Sequence, residues 1–329
     1  MQRLEYIDTM KGILIFFVVL LHLPWVATML CDYECDIFEW SKYHTQFISA
    51  YYMSAFFFVT GYCSDFDKEA KSFFTKNVKI LLVPAIVFSS LDIIKNGAGW
   101  IGLLFYGGNF WFLPALFWTK GIYYFLRKYF HGKMLVLLVI ALCAFGFFLH
   151  QQGIKNFWSI EHGMAFLPII YLGEYVRHEG KRAYEYVSIL LFIVLYLVCC
   201  LFDIRVPVLA RTFKPVISEM PLFLVFSCTG CLMILFIAKY ITSHSKVLTK
   251  CFVFWGKNSL LIYLVSNAIM ELLLKFSMWI VPTVYTEYNQ EFMFNATVYL
   301  TIVILTMTSF KFIVRLFDMK WLKWTLGKF

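Results

Sequence analysis

Three residues near the start of this 329-residue chain have the types and spacing for proton and anion chemistry: Asp8, Lys11 and His22. They stand in the run R-L-E-Y-I-D-T-M-K-G-I-L-I-F-F-V-V-L-L-H-L-P, a charged lead-in that passes directly into apolar residues. On a helix, eleven steps of about 100° bring His22 back to the face of Lys11, about 16 Å further along the axis. Asp8 lies three residues before Lys11 on the same face and can orient its ammonium group. With Lys11 at a membrane surface, His22 reaches the midplane of a hydrocarbon core about 30 Å thick. An ionisable group at that depth is costly and marks a functional position by default. A low-dielectric cleft favours a neutral imidazole, which can act as a general base or as a nucleophile that carries an acyl group. Two plainer readings stand beside this one: Lys11 as a positive-inside anchor, and His22 as a histidine satisfied by a carbonyl of a neighbouring helix.

The elements that must position these residues follow from composition. With 61% hydrophobic and 15% charged residues, and a mean hydropathy of +0.73, the chain exceeds the roughly 45–50% apolar share of soluble domains. It reads as an all-α integral membrane protein. Thirty-seven Phe, 20 Tyr and 10 Trp suit lipid-facing helices with interfacial aromatic belts. Apolar runs predict about ten spans, near 12–30, 47–63, 80–94, 100–118, 134–149, 163–176, 187–202, 221–238, 259–280 and 296–314. The fourth is interrupted by Gly97, Gly99, Gly102, Gly107 and Gly108, and the sixth is short. Glu5 and Asp8 spoil a basic leader and no small-residue cleavage site follows, so the first helix is expected to remain as a span.

A net charge of +9 would suggest nucleic acid in a soluble protein, but here the cations lie in short loops between apolar runs. With ten spans and both termini cytoplasmic, only Lys42, Lys95, Lys155, Arg205, Arg211, Lys214 and Lys275 fall outside, against 22 of the 29 cations inside. The first outer loop is acidic, with Asp32, Glu34, Asp36 and Glu39. The longest, from about Asp203 to Met220, is basic, suiting either an anionic acceptor or a solvated loop. No repeat or soluble appendage is evident, so residues 1–329 read as a single transmembrane domain. Of nine cysteines, seven lie in or beside apolar runs; Cys31 and Cys35 can pair or bind metal, but no further ligand pair accompanies them. No metal site is expected. Glycine-rich phosphate loops, zinc-ligand helix motifs and Ser-His-Asp elbows are absent from the sequence, and Asn295-Ala-Thr matches a glycosylation sequon.

The amino-terminal block resembles the signature of membrane-bound acyltransferase family 3, the fucose 4-O-acetylase-like and polysaccharide O-acetyltransferases. There an Asp, then Arg or Lys followed by Gly, precede a His, as Asp8, Lys11, Gly12 and His22 do here. Y-Y-M-S-A-F-F-F-V-T-G-Y, Tyr51 to Tyr62, is similar to the family's F-H-M-P-L-F-F-F-x-S-G-Y, with Tyr52 for His, Ser54 for Pro and Thr60 for Ser. Thr60 and Gly61 can let a helix or a ligand approach closely. N-F-W-F-L-P resembles the family's W-F-L segment, which makes Trp111 either a wall of the acyl pocket or an interfacial anchor. F-W-G-K-N-S-L-L-I-Y-L-V-S resembles G-x-N-S-L-x-I-Y-L-x-H through Gly256, Asn258, Ser259 and Tyr263, with Ser266 in place of His. That leaves His22 as the histidine expected deep in the membrane.

The resemblance implies an enzyme that moves an acetyl group from acetyl-coenzyme A to a hydroxyl of a cell-surface glycan or its lipid-linked precursor, with no permanently bound cofactor. His22 would be the base; Lys11, Asp8 and Trp111 would serve the donor, with Thr60, Asn258 and Ser259 in support. Membrane lipids and the sugar acceptor are the expected partners, nucleic acid is not, and the location is a cell membrane, the cytoplasmic one in a bacterium. The alternatives are a transporter or flippase for a glycan or small anion, with Lys11 and His22 along its path, and a non-catalytic sensor. No second copy of the Asp8-to-His22 pattern supports the paired halves usual in transporters. Glu174, Arg177 and Glu271 need partners if buried, and no role is assigned to them.

Overall fold

The computed structural model describes residues 4–31, 33, 47–96, 110–153, 157–179, 183–208, 216–288, 291–319 and 321–327, and every regular element among them is helical. In chain order these are α1 (Glu5–Cys31), α2 (Tyr52–Cys63), α3 (Ala70–Asn77), α4 (Val83–Asn96), α5 (Phe112–Tyr129), α6 (Gly132–Gln151) and α7 (Ile160–Ala165). There follow α8 (Leu167–Glu179), α9 (Ala183–Leu201), α10 (Met220–His244), α11 (Lys246–Lys257), α12 (Ser259–Ile280), α13 (Pro282–Glu287) and α14 (Phe292–Phe317). Among the described residues six helices are long and apolar enough to cross a membrane: Glu5–Cys31, Ala70–Leu91, Gly132–Gln151, Ile217–His244, Ser259–Ile280 and Phe292–Phe317. Phe47–Cys63 and Tyr186–Leu201 are shorter apolar helices. Together they coincide with eight of the ten apolar runs.

The other two runs have different outcomes. In the fourth, residues 100–109 and their glycines lie outside the described residues, and the helix that follows extends past Lys120 to Tyr129. The sixth is divided at Phe166, because Pro168 has no N–H to give the Met164 carbonyl and is tolerated only in the first turn of a new helix. A second proline is accommodated differently. Ahead of Pro84 the chain widens into a π turn over Val78–Leu82, and the Val83 N–H reaches back five residues to the Val78 carbonyl.

Two compact units are built from separate stretches of chain: Met1–Tyr52 with Ile237–Met319, and Met53–Phe236 with Lys320–Phe329. In the first, α1 packs on α11 and α12. The seam with α11 depends on two glycines that face backbone: a Cβ on Gly12 would stand 2.0 Å from the Phe252 carbonyl oxygen, and one on Gly256 1.8 Å from that of Asp8. Phe16 stacks on Trp255 beside them, and the Thr242 hydroxyl donates to that of the fully buried Thr9. Pro24 lies inside α1 and leaves the Leu20 carbonyl without its helical donor; the Tyr299 hydroxyl of α14 fills that vacancy.

In the second unit, α2 and α8 meet through Gly61 and Gly173. A Cβ on the first would stand 2.0 Å from the Ile170 oxygen, and on the second 2.1 Å from the Phe58 oxygen. Gly61 therefore admits a helix. Ser54 bonds the Ser227 hydroxyl at 2.8 Å, and Phe57 stacks on Phe166. A cluster of Phe66, Phe73, Tyr123 and Tyr124 packs under a polar cap. There Glu174 pairs with Arg127 Nε at 2.6 Å and accepts from Tyr123 at 2.5 Å, while Arg127 also binds Asp67. Arg177 donates to the Ser64 carbonyl. Glu174→Ala strips buried Tyr123 of its acceptor and is expected to cost about 1–3 kcal/mol, read as a lower Tm in detergent, whereas Glu174→Gln, which can still accept from Tyr123, should cost less. An unchanged Tm for the alanine variant would show the cap to be idle.

Large apolar side chains remain exposed along α6, α9 and α14, Leu137, Leu190 and Ile304 among them. On helices of this composition such surfaces are what lipid covers.

Candidate active site

The charged lead-in is helical from Glu5, so Asp8, Lys11 and His22 ride on one unbroken helix of 27 residues. Lys11 Nζ lies 3.0 Å from Asp8 Oδ1, with the lysine side chain 26% exposed and the aspartate 3%. Asp8 is buried because Gly256 lets α11 close over its backbone, and a carboxylate so placed needs the cation beside it. Lys239 Nζ sits 5.6 Å over the Tyr6 ring, which brings a second cation to the first turns of α1.

Near the other end of α1, His22 is half-buried and its Nδ1 lies 2.7 Å from the Val18 carbonyl oxygen. A carbonyl can only accept, so Nδ1 carries the proton and Nε2 presents the lone pair. The carbonyl comes from the histidine's own helix, not from a neighbour, and Nε2 makes no hydrogen bond among the described residues. The ring is thus held by one nitrogen and basic at the other.

The supporting residues divide. Asn258 caps α11, donating from Nδ2 to the Phe254 carbonyl at 2.8 Å, and Ser259 opens α12, so this motif forms the turn that presents Gly256 to Asp8. Ser266 is buried within α12. Thr60 returns its hydroxyl to the Phe56 carbonyl one turn back. Trp111 stands at the start of α5 with its ring 4.8 Å from that of His162. Glu271 pairs with Lys275 at 2.8 Å. Asn295 is buried and accepts from Tyr33, so the sequon is closed to modification. Cys35, the acidic first loop, Arg211 and Lys214 lie outside the described residues.

Residues the sequence reading passed over are Glu161 and His162, in the connection between its fifth and sixth runs. Both are buried, with His162 Nδ1 3.0 Å from Glu161 Oε1. The available signal was two histidines and a glutamate flanking a short connection between apolar runs, with His150 as the other histidine.

Several apolar helices of spanning length, the first of which buries Asp8, define a multi-pass membrane protein. The family model described as an acyltransferase domain matches residues 4–316, nearly the whole chain, and the chain belongs to acyltransferase family 3. Compared with curated proteins and with solved structures, it gives no match.

Proposed function

We propose that this acyltransferase is an O-acetyltransferase of a cell membrane, transferring acetyl from acetyl-coenzyme A to a hydroxyl of a cell-surface glycan or its lipid-linked precursor. The observation that carries the reading is His22, whose Nε2 is unbonded among the described residues while Nδ1 is fixed by Val18. Nε2 takes the acceptor hydroxyl's proton as the oxygen attacks the thioester carbonyl. The tetrahedral oxyanion collapses, the C–S bond breaks, and the imidazolium returns the proton to the departing thiolate. Val18 holds the second N–H of the imidazolium throughout. Asn258 and Ser259 hold the turn between α11 and α12 that sets Gly256 against Asp8, and so support the charged end of α1.

Lys11 and Lys239, gathered at the first turns of α1, suit the phosphates of the donor, with Asp8 aiming the former. Ten spans with both termini and the Arg127 loop cytoplasmic would put these cations on the coenzyme's side of the membrane and leave the slender pantetheine arm to reach inward. The whole chain would then act as one acyltransferase domain. Purified protein given labelled acetyl-coenzyme A and candidate glycans tests the reading. An acetylated glycan supports it, and a transporter built on the same helices would form none.

Lys11 offers a sharper check. Lys11→Arg keeps the charge and should retain much of the activity. Lys11→Gln removes a contact made equally in ground and transition states, so the apparent KM for acetyl-coenzyme A should rise more than kcat falls, and high salt should weaken the wild type in the same sense. A correctly inserted Lys11→Gln protein with an unchanged donor KM would reduce Lys11 to a topological anchor.

A further inference from the structure

Within the second unit, three metal-ligating side chains converge at a place that the acyl-transfer reading does not use. His150 lies in the last turn of α6, and Glu161 and His162 lie in α7. One ligand atom from each falls within 4.8 Å of the others, and the two imidazole rings meet edge to face with centroids 4.8 Å apart. Glu161 is 7% exposed and His162 3%. Yet among the described residues Glu161 Oε2 and His162 Nε2, both buried, have no hydrogen-bond partner. Two orphaned acceptors or donors in one buried spot are costly, and folded proteins seldom leave them so.

The backbone is built to bring them there. Trp158 and Ser159, just before α7, both have left-handed φ, 51° and 55°, a conformation disfavoured for residues with a Cβ. The reversal lays α7 against α6 at Gly146, where a Cβ would stand 2.6 Å from the Glu161 carbonyl oxygen. Gly146 and His150 are four residues apart, so the face of α6 that admits the Glu161 backbone also carries the His150 ring. The Thr119 hydroxyl donates to the Gly163 carbonyl at 2.9 Å and the Cys143 thiol to that of Ala165 at 3.2 Å, clamping α7 from both sides. Trp111 closes over His162 at 4.8 Å.

We propose that His150, Glu161 and His162 bind a divalent transition-metal ion, zinc by the chemistry of the set. Two imidazoles and one carboxylate are a donor set that zinc takes, and three protein ligands leave a fourth tetrahedral position for water or another ligand. A modest closing of the three side chains brings them to the usual ligand distances of about 2.0–2.2 Å. The metal satisfies the two orphaned atoms and ties the end of α6 to α7. Sequence spacing conceals the set, because eleven residues and a chain reversal separate His150 from Glu161.

The test uses full-length, tag-free protein in detergent, exposed to zinc, desalted and analysed for bound metal. About one ion per chain is expected in the wild type. His162→Ala and Glu161→Gln should lower zinc affinity by more than about 100-fold, the upper end for loss of a mere outer-shell partner. If either variant does not fold, His150→Ala, at a half-exposed helix end, is read in its place. Cobalt substitution should give visible d–d bands without a near-ultraviolet thiolate band. Absence of tightly held zinc in the wild type, retention by monodisperse variants, or a thiolate band that assigns the metal to cysteine would each overturn the proposal.

Discussion

His22→Ala is expected to lower acyl transfer by about 10²- to 10⁴-fold, the range for loss of one positioned general base, while the protein stays folded in the membrane. The geometry explains why packing would suffer little. His22 is half-buried, and its hydrogen bond is to a carbonyl of its own helix, so removing the ring strands no partner on another element among the described residues. His22→Gln adds a control. Its amide can still donate to the Val18 carbonyl but offers no basic nitrogen, so it should resemble Ala in turnover and the wild type in Tm. Acetyl-coenzyme A labelled on the acetyl group, given without an acceptor, separates base from carrier: a base leaves the protein unlabelled, whereas a nucleophilic Nε2 would hold an acetyl-imidazole. Near-normal turnover in both variants would reduce His22 to a packing residue.

What could be read from the sequence was what lies within one helix. Asp8, Lys11 and His22 follow from local spacing, and the 27-residue helix and the 3.0 Å contact between the first two agree with it. Gly61 as a point of close helix approach was legible from its size alone, although which helix approaches was not. Relations that need two distant segments were hidden. Ser54 is an unexplained departure until Ser227, 173 residues away, meets it. The Leu20 carbonyl is visibly orphaned by Pro24, yet nothing in the sequence points to Tyr299 as its donor. From the sequence alone Asn258 and Ser259 are only supporting residues, and what they support, the cap that sets Gly256 against Asp8, needs the fold to be seen. His150, Glu161 and His162 were missed for a related reason. Their convergence depends on two consecutive left-handed residues, Trp158 and Ser159, which carry side chains and so give none of the glycine signal by which such turns are found.

Gly256→Ala should be among the most damaging single-methyl additions in the chain. The new Cβ would stand 1.8 Å from the Asp8 carbonyl oxygen and 2.8 Å from its carbon, and these are helix backbone atoms that cannot swing aside. Relief requires α1 and α11 to part by more than an ångström, which also strips the contact at Gly12, where Phe252 backbone lies equally close. The expected cost is at or above the upper end of the roughly 1–3 kcal/mol usual for overpacking, because the whole seam must yield. Gly121→Ala is the matched comparison: its Cβ meets the edge of the Phe74 ring at 3.3 Å, a side chain that can give, so the loss should be slight. Thermal unfolding in detergent would show a large fall in Tm for Gly256→Ala and little for Gly121→Ala. Any Gly256→Ala protein that survives should also bind the acyl donor poorly, since separating the helices unseats the buried Asp8 that holds Lys11. A Gly256→Ala protein that melts like the wild type would mean that α1 and α11 do not make this contact, and the placement of Asp8 and Lys11 built on it would fall as well.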